Sequence, residues 1–99
     1  MLNKYKIQAK VWLYPGQAAW HFVTLPKDES GQIKELFGGL KKGFGSLPVK
    51  VTIGETAWKT SIFPDKKAGA YLLPLKADVR KRETIMEGDT LVLDIEVLL

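Results

Sequence analysis

An internal echo constrains this chain more than any other feature. Tyr14-Pro15, a turn, Trp20, Leu25-Pro26, a helical stretch and the alternating run Val49 to Ile53 form the first copy. Phe63-Pro64, a turn, Tyr71, Leu73-Pro74, a second helical stretch and the alternating run Leu91 to Val97 form the next. Pro15 and Pro26 are 11 residues apart and Pro64 and Pro74 are 10 apart, so the copies keep step where the geometry is tightest. A unit of this size cannot hide its own apolar face, and two copies predict half-units that share one core. The echo speaks to architecture much more than to activity.

Within the first copy, Tyr5, Ile7, Ala9, Val11 and Leu13 alternate with Lys4, Lys6, Gln8 and Lys10, the pattern of a half-buried strand with a basic outer face. Pro15-Gly16 turns the chain, and Ala18 to Leu25 reads as a returning strand. Pro26 has no N–H to donate and ends the pairing; Asp28 or Ser30 then caps a helix through Ile33, Leu36 and Phe37 that Gly38-Gly39 stops. A glycine-flanked basic loop, Lys41-Lys42-Gly43-Phe44-Gly45, leads to a third strand carrying Val49, Val51 and Ile53. Beyond the turn at Gly54-Glu55, Trp58 to Phe63 is a fourth strand, Pro64 to Gly69 a turn and Ala70 to Leu73 a fifth strand. A short helix through Ala77, Val79 and Arg80 follows, and Met86 to Asp89 turns the chain into a last strand. Strand, strand, helix, strand, stated twice, predicts a mainly β fold. It is a small six-stranded barrel with two short helices and an internal pseudo-twofold. Residues 1–99 are expected to be one domain, with half-units at about 1–53 and 56–99.

At 99 residues and 45% hydrophobic content the chain can fill one core without a metal or a crosslink. It has no cysteine and a single histidine, His21, which excludes disulfides, thiolate metal sites and multi-histidine sites. No metal or cofactor is expected. No apolar run reaches the length of a signal peptide core or a bilayer span, so the expectation is a cytoplasmic protein that does not enter the membrane. The formal charge of +4 gives a modest bias toward anionic partners.

The second half, from Tyr71-Leu72-Leu73-Pro74-Leu75-Lys76-Ala77-Asp78-Val79-Arg80-Lys81 to Gly88-Asp89-Thr90-Leu91-Val92-Leu93, resembles the AbrB-like swapped-hairpin pattern. There an aliphatic-Pro pair closes a strand, a short Arg-bearing helix follows and Gly-Asp opens the final strand. Taken whole, the chain is similar to the bacterial and archaeal family called domain of unknown function nineteen-zero-five. That likeness is carried by Gly16, Ala19-Trp20-His21-Phe22-Val23, Leu25-Pro26, Gly43-Phe44-Gly45, Pro48-Val49 and Trp58-Lys59-Thr60-Ser61. It continues through Pro64, Tyr71, Leu73-Pro74-Leu75-Lys76, Arg80 and Gly88-Asp89. The resemblance implies a double-split β-barrel made within one chain, its halves standing where two subunits stand in AbrB-type dimers. It assigns no activity.

Recognition of DNA by such a barrel needs a basic face with arginines that reach base edges. This chain has only Arg80 and Arg82, an uncharged first hairpin loop, and Ala70 where AbrB-type proteins often carry arginine. Lys41, Lys42, Lys66 and Lys67 would add a non-specific phosphate surface if their loops converged. The loop from Gly38 to Gly45 lacks the strand-before, helix-after context of a phosphate cradle. Trp12, Trp20 and Trp58 are expected as core or barrel-end plugs rather than a stacking platform.

Lys59, Ser61, Lys76 and Arg80, with aromatics nearby, form the strongest candidate contact surface. At a barrel mouth they would hold a carboxylate or phosphate, with Arg80 as the fork and Ser61 as a neutral donor. The competing reading pairs Arg80 with Asp78, Glu83 or Asp89 as a structural tie. His21 joins the candidate set. As a general base it would need Ser61 close by, and the scattered carboxylates offer no acid–base couple, so no catalytic residue is assigned. The expectation is therefore a monomeric, non-catalytic binding module for an anionic small molecule or a protein partner. The alternative is an AbrB-like nucleic-acid-binding regulator.

Overall fold

The computed structural model describes residues 3–16, 20–40 and 45–98. Six strands, β1 (Lys4–Leu13), β2 (His21–Thr24), β3 (Leu47–Ile53), β4 (Thr56–Asp65), β5 (Ala70–Pro74) and β6 (Thr90–Val97), close into a barrel in the order β1-β2-β5-β4-β3-β6. Every neighbouring pair is antiparallel. Helix α1 (Lys27–Phe37) connects β2 to β3 through a 3-10 turn at Gly38–Leu40, and α2 (Ala77–Arg82) connects β5 to β6. The mainly β class, the six-strand closure and both helices expected from the sequence are present.

The alternation of apolar residues sets the register. Tyr5, Ile95, Val51 and Trp58 lie opposite one another across four strands and face inward, as do Val11, Val23 and Leu73 across three. The core is made of these rows, with Val23, Ile33, Val49, Ile62 and Leu73 wholly buried. Two strands change partner along their length: β1 pairs with β6 up to Lys10 and with β2 from Val11, and β4 pairs with β3 up to Ile62 and with β5 from Phe63. At the first exchange the Gly88-Asp89 turn clips onto β1, because Gly88 N–H donates to the Val11 carbonyl and Val11 N–H donates to the Asp89 carbonyl, at 2.9 and 2.8 Å.

The structure departs from three local expectations. The stretch from Pro64 to Gly69 is not all turn, since Pro64 lies within β4, opposite Tyr71. Its missing N–H costs nothing there: the Tyr71 carbonyl accepts from Leu25 N–H and the Tyr71 N–H donates to Ser30 Oγ, so both of its polar groups turn away from β4. Ser30 is likewise no helix cap. The N-cap of α1 is Pro26, without a side-chain bond, whereas the buried Ser30 hydroxyl takes the Tyr71 N–H at 3.0 Å and reaches the Leu25 carbonyl at 3.5 Å, tying α1 to β5 and to the end of β2. Trp20, expected as a plug, is 57% exposed.

Helix α2 ends in a Schellman turn in which Ile85 N–H donates to the Arg80 carbonyl at 2.8 Å and Ile85 is buried. Glycine usually occupies the left-handed position of this motif, but here it is Thr84, with φ 54°. A β-branched residue in that region is strained by about 1–2 kcal/mol. Thr84→Gly is expected to stabilise the protein by about 1 kcal/mol once the greater freedom of glycine in the unfolded chain is subtracted. Thermal denaturation checks this, with a rise of a few degrees as the expected result.

Candidate functional site

A cavity of about 580 Å³ opens beside α2. The outer face of this part of the barrel follows from the register, and Phe22, Phe63, Leu72 and Pro74 of it line the cavity. Trp12, Phe22 and Pro74 lie opposite one another across β1, β2 and β5, and Thr24, Leu72 and Phe63 do so across β2, β5 and β4. These positions alternate with the core residues Val11, Val23 and Leu73, so they face outward. This half of the barrel thus presents apolar side chains on both of its faces. On the other half the outward rows are mostly polar: Lys4, Glu96, Lys50 and Lys59, then Lys6, Asp94, Thr52 and Ala57, with Val92 exposed beyond them.

Four of the five residues singled out from the sequence line this cavity. His21 enters from the start of β2, between Trp20 and Phe22. Lys59 comes from β4, between Trp58 and Thr60. Lys76 and Arg80 come from the N-cap position and first turns of α2, where Pro74 and Leu75 lead the strand into the helix. Ser61, the fifth, is half-buried on β4 opposite Pro48 and does not line the cavity. Lys41 and Lys42 lie outside the described residues, and Lys66 lines a different groove, between α1 and the β4–β5 turn.

The charged groups are held by identifiable contacts. Arg80 is half-buried, and its Nε donates to the Leu75 carbonyl at 3.0 Å, which fixes the plane of the guanidinium beside the cavity. Nearby, Glu83 Oε2 accepts from Thr56 Oγ1 at 2.6 Å, and Asp89 Oδ2 accepts from Met86 N–H at 2.8 Å. Lys59 stands directly opposite Lys50 in the β3–β4 pair, a juxtaposition of like charges that raises the local positive potential. Leu75 N–H donates to the His21 carbonyl at 2.9 Å, joining the β2 and α2 walls through the backbone.

The aromatic wall continues beyond the cavity. Trp12 and Phe22 have ring centroids 5.3 Å apart, and Tyr14 lies 6.0 Å from Phe22 and 6.1 Å from Trp20. The Trp12 indole N–H donates to Thr24 Oγ1 at 3.0 Å, which orients the first ring of the series. Tyr14 is 45% exposed and Phe63 40% exposed, so the strip is open to solvent. Sequence reasoning did not include Phe22, Phe63, Leu72 or Pro74 in the site. Part of a signal for them existed, because Phe22 on β2 and Leu72 and Pro74 on β5 are apolar residues at outward positions.

Among the described residues no cluster of three or more His, Asp or Glu could hold a metal ion, and no helix is long and apolar enough to cross a membrane. Comparison with known proteins gives one family: a family model described as Domain of unknown function (DUF1905) matches residues 8–95. No curated protein matches the chain.

Proposed function

The chain belongs to the family so described, and we propose that it is a small non-catalytic binding module for an anionic partner, foremost a small molecule, seated in the cavity beside α2. One observation carries this reading. Among the described residues, the ionisable side chains lining the cavity, His21, Lys59, Lys76 and Arg80, are all basic, and the rest of the lining is mostly apolar. Basic groups at the edge of an apolar hollow match a ligand with a negative head and an apolar body. A catalytic reading would need an acid to orient His21, and among the described residues no carboxylate lines the cavity. Ser61 would serve at most as a neutral donor at the margin of the site.

Isothermal titration of the protein with a panel of carboxylates and phosphates tests the proposal. Saturable heat with at least one anion, lost on replacing Arg80, is expected; blank traces throughout would reject it. An AbrB-like nucleic-acid-binding role is the second reading, supported by the solvent-exposed aromatic strip and the positive net charge. It requires a gel shift at low salt that weakens steeply as salt rises.

The same reading takes residues 1–99 as one domain of two half-units, about 1–53 and 56–99, related by an approximate twofold in a double-split barrel. The matching partner exchanges of β1 and β4 support that view. Two halves fused in one chain would leave no need for a second subunit. A cytoplasmic monomer is therefore proposed, with analytical ultracentrifugation as the check on its oligomeric state.

A further inference from the structure

We infer that the ligand class of this cavity is a flat aromatic carboxylate, its ring laid against Trp20 and Phe22 and its carboxylate directed to Lys76 and Arg80. The inference rests on the anion-binding reading and narrows it. The outer face of β1, β3 and β6 is mostly polar, with Val92 as an exposed aliphatic exception, while the cavity side exposes rings to water, with Trp20 57% exposed. Leaving such surface open is unfavourable unless something covers it. The rings are also fixed in advance. Trp12 is tied to Thr24 and packs at 5.3 Å against Phe22, and Tyr14 bridges Phe22 to Trp20 at 6.0 and 6.1 Å. A platform already ordered by its own contacts loses little entropy on binding, and its π faces favour a planar conjugated body over a branched aliphatic one of equal size.

The geometry at the other end selects the head group. Arg80 is oriented by its Nε bond to the Leu75 carbonyl, and a guanidinium of fixed plane matches a planar carboxylate. Lys76 stands one helical turn before it and adds a point charge from the same side. Charge complementarity therefore places the anion at the α2 wall and the ring on the β2 wall, with the apolar residues Leu72 and Pro74 of β5 among the cavity lining.

The test titrates wild-type protein and Trp20→Ala with 2-naphthoate, its neutral amide 2-naphthamide, cyclohexanecarboxylate, inorganic phosphate and a ten-residue oligothymidylate. Trp20 is exposed, so the variant should fold, and its melting curve is recorded beside wild type. The expected result is saturable naphthoate binding, with cyclohexanecarboxylate and naphthamide each about tenfold weaker. Trp20→Ala should weaken naphthoate about fivefold and leave cyclohexanecarboxylate within about twofold. Cyclohexanecarboxylate or phosphate binding as tightly as naphthoate would overturn the aromatic class and leave the anion reading standing. Naphthamide matching naphthoate would overturn the requirement for charge, and with it both. Binding of none of the anions would remove both as well, and oligothymidylate binding more tightly than naphthoate would assign the surface to single-stranded nucleic acid instead.

Discussion

Arg80→Ala is expected to weaken anion binding by about 1.5–3 kcal/mol, or roughly 10- to 150-fold, the usual contribution of a hydrogen bond to a charged group. The size follows from position. The guanidinium is half-buried and held by the Leu75 carbonyl, so it would meet an anion without first having to be ordered. Arg80→Lys keeps the charge but loses both the fork and the Nε bond, and should recover only part of the affinity. The same substitutions remove a partner of Leu75, and melting curves must accompany the titrations. A variant that melts like wild type and no longer binds places Arg80 in the site. One that binds like wild type removes it.

Leu73→Ala is expected to destabilise the protein by about 2–5 kcal/mol, a large share of the roughly 5–15 kcal/mol that holds a domain of this size together. Leu73 is wholly buried at the end of the inward row Val11, Val23, Leu73. Strands paired on both sides cannot close over the hole that its loss would leave. At about 4–8 °C per kcal/mol for a small domain, the melting temperature should fall by roughly 8–40 °C. Circular dichroism on heating measures it. Val92→Ala, on the exposed face of β6, serves as the control and should change stability by less than about 0.5 kcal/mol. The core and the cavity are coupled through β5. Leu73 fills the core between Leu72 and Pro74, which look the other way into the cavity, so loss of the core residue should also loosen the cavity wall.

The first and last strands were legible because their apolar residues alternate. Tyr5 to Leu13 and Leu91 to Val97 fall on β1 and β6 nearly to the residue. Prolines were harder. Pro64 reads as a turn in isolation, and its place inside β4 follows only from Tyr71, whose polar groups serve Leu25 and Ser30 instead. Ser30 was read as a cap for a similar reason: its type suits a helix start, while its actual partner is 41 positions away. In the site, the basic residue types were visible, but the convergence of His21, Lys59, Lys76 and Arg80 depends on β2 lying beside β5 and β5 beside β4. No local spacing encodes that order. The tryptophans show the same limit, since periodicity tells which way Trp20 points and not whether anything covers it.

Closure of the barrel joins its first strand to its last, with Lys4 facing Glu96 and Lys10 facing Thr90. During synthesis, β1 therefore waits for almost the entire chain before its longest pairing can form. Contacts this remote in sequence slow folding, and the unpaired β1 is a sticky template in the interval. Its outward lysines at positions 4, 6 and 10 would keep nascent chains apart until β6 leaves the ribosome and seals the seam.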